Sequence, residues 1–111
     1  MTFIGGTGGG GGGGSFATVT FDDAAVTYAL VDFGGNASAF EADPTDAANM
    51  VARVTKTAAA ESWAGTTVAT RPNDAVGTIP FDAANTRMTV RVWSPDAGIP
   101  VRLKVETAGD P

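Results

Sequence analysis

The side chains best equipped for chemistry in this sequence are its two tryptophans and the charged groups beside them. Trp93 stands two positions after Arg91, so on an extended strand both project from one face. An aromatic ring packs on the apolar C–H face of a sugar while neighbouring polar or charged groups fix the hydroxyls, which makes Trp93 with Arg91 a candidate carbohydrate platform. Trp63, in the loop-like stretch Trp63-Ala64-Gly65-Thr66-Thr67, is a second candidate and Tyr28 a third. Arg102 adds a cation that an anionic glycan or an acidic partner would meet, although a solvated strand face accounts for the same charges. For the tryptophans the structural alternative is that Trp63 plugs one end of a core and Trp93 covers a sheet edge.

The acidic pairs Asp22/Asp23 and Asp43/Asp46, with Asp110, offer the hard oxygen ligands that calcium prefers, and Asp22 and Asp23 are the first candidates for one structural calcium. No DxDxDG-like loop accompanies them, and aspartates that cap turns explain the same residues. Histidine and cysteine are absent, which removes the usual general base, the commonest transition-metal ligand and any thiolate or disulfide. Glycoside hydrolysis needs two carboxyl groups about 5–10 Å apart. The only glutamates are Glu41, Glu61 and Glu106, and no spacing brings two of them together. The expectation is a chain that is not an enzyme and requires no cofactor.

The elements that must position these groups read as strands. In Met88 to Glu106, MTVRVWSPDAGIPVRLKVE, Met88, Val90 and Val92 oppose Thr89, Arg91 and Trp93. Val101, Leu103 and Val105 likewise oppose Arg102, Lys104 and Glu106, so the stretch predicts two half-buried strands paired across a Ser-Pro-Asp-Ala-Gly corner. Further strands are expected at residues 16–21, 26–33, 37–42 and 50–57, with a short one after Gly65 and a return to the sheet at Ile79-Pro80-Phe81. Residues 45–61 could be capped as a helix, but Val51, Val54, Thr55 and Thr57 favour a strand at its centre. Fifteen threonines and eleven valines against two leucines point the same way. The predicted architecture is all-β, an antiparallel, jelly-roll-like β-sandwich over residues 16–111, preceded by a glycine-rich N-terminal arm at 1–15.

Twenty of the apolar residues are alanine, so the core is small and shared between two thin layers. Seven basic against twelve acidic side chains give a net charge of −5, which repels a phosphate backbone and argues against nucleic acid as a partner. The start MTFIGG lacks the pattern of a signal peptide, and no stretch approaches the roughly 20 apolar residues of a membrane helix, so neither signal-directed export nor membrane insertion is expected.

The run from Phe21-Asp22-Asp23 through Val31-Asp32-Phe33-Gly34-Gly35-Asn36, Asp43-Pro44, Trp63-Ala64-Gly65-Thr66-Thr67 and Ile79-Pro80-Phe81 to VWSPDAGIPVRLKVE resembles the β-sandwich modules of marine bacterial laminarinase- and agarase-like enzymes. Similar modules occur in surface and phage structural proteins. The resemblance implies a non-catalytic domain of carbohydrate-binding type, often with one structural calcium, and with further strands beyond the position of Asp110-Pro111. The glycine-rich entry departs from that pattern and suggests another mode of attachment.

That entry holds seven consecutive glycines, Gly8 to Gly14, which by composition read as a flexible linker. It lacks a GK[ST] ending, so a phosphate-cradling role is weak. Glycines allow close backbone approach, and Phe3 and Ile4 would anchor the tip, so the arm is expected to pair with an open sheet edge of a neighbouring subunit. Its removal should then detach the domain without changing its own fold. The setting this implies is a virion surface or another extracellular assembly, with a polysaccharide as a further partner. An accessory sugar-binding module of a secreted hydrolase is the alternative.

Overall fold

The computed structural model describes residues 2–4 and 18–106, and no helix occurs among them. The strands in these residues are β1 (Thr2–Ile4), β2 (Ala29–Phe33), β3 (Asn36–Asp43), β4 (Asp46–Lys56), β5 (Gly65–Ala69) and β6 (Arg91–Trp93). Every ladder between them is antiparallel. One sheet has the order β3-β4-β1-β6 and the other pairs β2 with β5.

The β3–β4 hairpin is the backbone of the larger sheet. β-branched residues recur along β4, where they suit a pleated surface better than a helix, and the strand runs eleven residues without a break. Neighbouring side chains on a strand point to opposite faces, yet Val51 and Ala52 are both fully buried. Both faces of β4 are therefore covered at its middle. Phe21 supplies part of that cover: its ring lies 6.0 Å from Phe40 and 5.4 Å from Tyr28. Phe21 reaches this position through a φ of 62°, a value rare for a bulky residue. Phe21, Val51, Ala52 and Ala69 form the buried apolar core among the described residues, which matches the small core expected from the alanine content.

The chain passes from one sheet to the other at Gly34-Gly35, where both residues have positive φ (70° and 88°). A Cβ on Gly34 would stand 2.8 Å from the Ala64 Cα and 2.9 Å from the Trp63 ring, so the backbone there fits only glycine. Hydrogen bonds close the joint: the Glu61 amide donates to the Gly34 carbonyl at 2.8 Å and the Thr57 hydroxyl to that of Gly35 at 2.9 Å. Beside it, the Thr66 hydroxyl donates to Asp32 at 2.6 Å, the Ser38 hydroxyl to the same carboxylate at 2.9 Å, and the Asn36 amide to Thr66 at 2.8 Å.

Several expectations change. Thr18–Phe21 belong to no strand, because the positive φ of Phe21 bends the chain. At Ile79-Pro80-Phe81 the Phe81 amide bonds the Ile79 carbonyl at 2.8 Å, a tight turn in place of a ladder. The expected strand at 88–93 shortens to Arg91–Trp93, although the alternation survives: Met88, Val90 and Val92 are half-buried and Thr89, Arg91 and Trp93 exposed.

The largest change concerns the partner of that strand. β6 pairs with β1, Thr2 facing Trp93, Phe3 facing Val92 and Ile4 facing Arg91, while Val101–Glu106 joins no ladder and is exposed throughout. Pro95 and Pro100 lack the N–H that a returning limb would offer, and β1 takes the place beside β6. Because β1 is an inner strand, the expectation that the N-terminal residues can be removed without touching the domain's own sheet does not hold.

Gly34→Ala combines a left-handed backbone with a steric conflict and should destabilise the protein by about 2–3 kcal/mol. Gly98 has nearly the same φ (75°), but a Cβ added there would meet no atom within 4 Å, so Gly98→Ala should lose only about 1 kcal/mol. Chemical denaturation of both variants checks this, and equal losses would show that the contact with Ala64 and Trp63 carries no weight.

Candidate functional site

Two acidic turns that are distant in sequence meet at one end of the larger sheet. The Met50 amide of β4 donates to Asp22 at 2.9 Å, which ties the Asp22-Asp23 loop to the hairpin. The turn of that hairpin is built by Asp43, which accepts from the Thr45 amide and hydroxyl, both at 2.7 Å, and from the Asn49 side-chain amide at 3.1 Å. A register shift at Ala42/Asp43 opens the end of the ladder and lets Asn49 turn toward Asp43. The result is an open cleft of about 660 Å³ lined by Thr20, Asp22, Asp23, Asp43, Thr45, Asp46, Ala48, Asn49 and Arg91.

Arg91 places a cation among these carboxylates. Asp43 is buried, and hydrogen bonds from Thr45, then from Asn49, with a smaller contribution from the Arg91 charge, hold its carboxyl below the ordinary aspartate range. The cleft can therefore offer both acceptors and donors to a hydroxylated ligand. Arg91 lines this cleft, and Trp93 follows it on the same exposed face of β6, outside the lining.

The calcium expectation fares differently. Asp22 is engaged by Met50, Asp23 accepts from the Ala25 amide at 2.9 Å, and Asp46 accepts from the Ala48 amide at 3.1 Å. Among the described residues no three acidic groups gather as a metal-binding cluster. The aspartates are turn builders.

Trp63 is no core plug, since it is 64% exposed. Its ring lies nearly parallel to that of Phe33, 7° between planes and 6.5 Å between centroids, and Phe33 is itself exposed. Gly65, opposite Phe33 in the β2–β5 ladder, lets that ring lie across the backbone. Tyr28 is a less open platform than expected: its ring packs on Phe21 and its hydroxyl lies 3.2 Å from that of Thr20. Arg102 sits in the exposed segment 101–106, outside both sheets. Of the arm, Phe3 and Ile4 lie in β1, and Gly8 and Gly14 lie outside the described residues.

Sequence reasoning missed Phe33, Thr45 and Asn49. The Asp-Pro-Thr turn was a signal for Thr45, since an Asx side chain bonds the backbone two residues on. Nothing local pointed to Asn49, which depends on the register shift.

A carboxyl held below its unfolded pKa stabilises the fold above that pKa and ceases to do so as pH falls through the folded value. Asp32, Asp43 and Asp82 are all shifted down by hydrogen bonds. Stability should thus be full near neutral pH and decline below about pH 4. Asp43→Asn should make that decline shallower in thermal melts between pH 6 and pH 2, and an unchanged profile would remove Asp43 from the account.

Comparison with protein-family models, curated proteins and solved structures yields no match to this chain.

Proposed function

We propose that this chain is a non-catalytic display and adhesion domain of an extracellular assembly, such as a phage virion surface, in a structural or glycan-binding role. The observation that carries the reading is the polar cleft with Arg91 on its wall and Trp93 exposed two residues further along β6. Carboxylates, amide and guanidinium suit the alternating donors and acceptors of a sugar, and the tryptophan supplies the apolar face. The two sheets are the layers of a jelly-roll-like sandwich, and the N-terminal segment is the means of attachment to other subunits.

A non-catalytic role is supported by the glutamates: Glu41 pairs with Arg53 at 3.2 Å and Glu106 with Lys104, each engaged on the surface. The domain works without a cofactor, does not bind nucleic acid and does not insert into membranes. A second reading, the accessory carbohydrate-binding module of a secreted polysaccharide hydrolase, is favoured by the exposed, near-parallel Trp63 and Phe33 rings. Capsid and tail genes beside this one support the first reading, and polysaccharide-utilisation genes the second.

The test is affinity electrophoresis through gels containing polysaccharides selected on a glycan array. Trp93→Ala should weaken retention about tenfold, the loss of one stacking contact of about 1.4 kcal/mol, with the circular dichroism spectrum unchanged. Retention equal to the parent in both Trp93→Ala and Trp63→Ala would sink glycan binding. Recovery of the chain at fixed stoichiometry in purified particles tests the assembly role separately.

A further inference from the structure

We propose that the slot between β4 and β6 is a receptor for an N-terminal strand that copies of this chain exchange, so that Thr2–Ile4 of one copy completes the sheet of another. β1 is hydrogen-bonded on both sides: Thr2 and Phe3 face Arg53 and Ala52 of β4, and Thr2, Phe3 and Ile4 face Trp93, Val92 and Arg91 of β6. β4 and β6 share no ladder, so without β1 each presents an open edge to the other across the gap. The slot is thus a built site for a short extended peptide, bound through main-chain groups that any copy of β1 supplies equally.

Connectivity permits the exchange. Thirteen residues, nine of them glycine, separate Ile4 from Thr18. Fully extended they reach at most about 45 Å, against molecular extents of 40 × 35 × 28 Å. The segment is therefore long enough to reach the slot of an adjacent copy. A glycine-rich chain of this length has a root-mean-square span of about 20 Å, which puts the effective concentration of its own strand at the slot in the millimolar range. In dilute solution the strand closes on its own chain. Where copies are packed side by side, a neighbour's strand competes on equal terms, since the exchanged contacts are the same and little free energy separates the two states.

The location of this slot also revises where an arm would dock. The sequence pointed to an open sheet edge of a neighbouring subunit, whereas the position that accepts a strand lies inside the larger sheet, between β4 and β6. The proposal rests on the assembly reading for the setting in which copies are crowded. Incorporation into particles tests that reading, and a disulfide formed between chains in solution tests the exchange by itself.

The chain has no cysteine, so introduced thiols report cleanly. Directly opposed residues of an antiparallel pair have Cα atoms about 4.5–5.5 Å apart, within the range a disulfide spans. Full-length Thr2→Cys and Arg53→Cys variants are mixed and oxidised from micromolar to millimolar concentration. A mixture of Thr2→Cys with Arg87→Cys, which also removes one exposed arginine, measures chance collision. Exchange predicts a chain-to-chain disulfide in the first mixture that forms at least tenfold faster than in the second, with the excess rising with concentration. The double variant Thr2→Cys/Arg53→Cys should close within one chain under dilute conditions. Equal rates in the two mixtures at every concentration would overturn the proposal, and so would a double variant that fails to close.

Discussion

The middle of β4 has to be kept dry on four sides. Val51 and Ala52 point to opposite faces and are both fully buried, while β3 covers one edge of the strand and β1 the other. A domain with so few large apolar side chains cannot spread its hydrophobic burial over many contacts, so it concentrates burial on one long strand. Much of what is unusual nearby serves that strand. Phe21 adopts a rare backbone conformation and packs on Phe40, the partner of Ala52 across the hairpin. The N-terminal residues, remote in sequence, become an inner strand because the β4 edge needs a partner.

The charged end of the molecule follows from the same hairpin. Aspartates that the sequence offers as metal ligands are occupied with backbone and side-chain donors of their own turns, and this holds two loops together around the cleft. Within an acidic chain, the guanidinium of Arg91 sets one cationic donor among the four aspartates that line the cleft.

Local signals were readable where they depended on one or two residues. The turns at Gly34-Gly35 and Asp43-Pro44, the strand character of 50–56 and the shared face of Arg91 and Trp93 all follow from side-chain type and period two. Pairing was not readable, because alternation in Val101–Glu106 states which residues are apolar and not which strand lies alongside. Phe3 and Ile4 could be marked as an apolar tip, but that their backbone enters between β4 and β6 is a property of the whole sheet. Phe33 and Asn49 were missed for the same reason: their roles arise from Trp63 and Asp43, which are distant or displaced by a bulge.

The place of β1 also imposes an order of events on a growing chain. Thr2 faces Arg53 on one side and Trp93 on the other, so β1 cannot complete both ladders until residues about ninety positions later have been made. Contacts this distant carry a large loop-closure entropy and form slowly. The β3–β4 and β2–β5 pairs, close in sequence, need no such wait. β1 is thus seated last, and the larger sheet closes around it as a final act of folding.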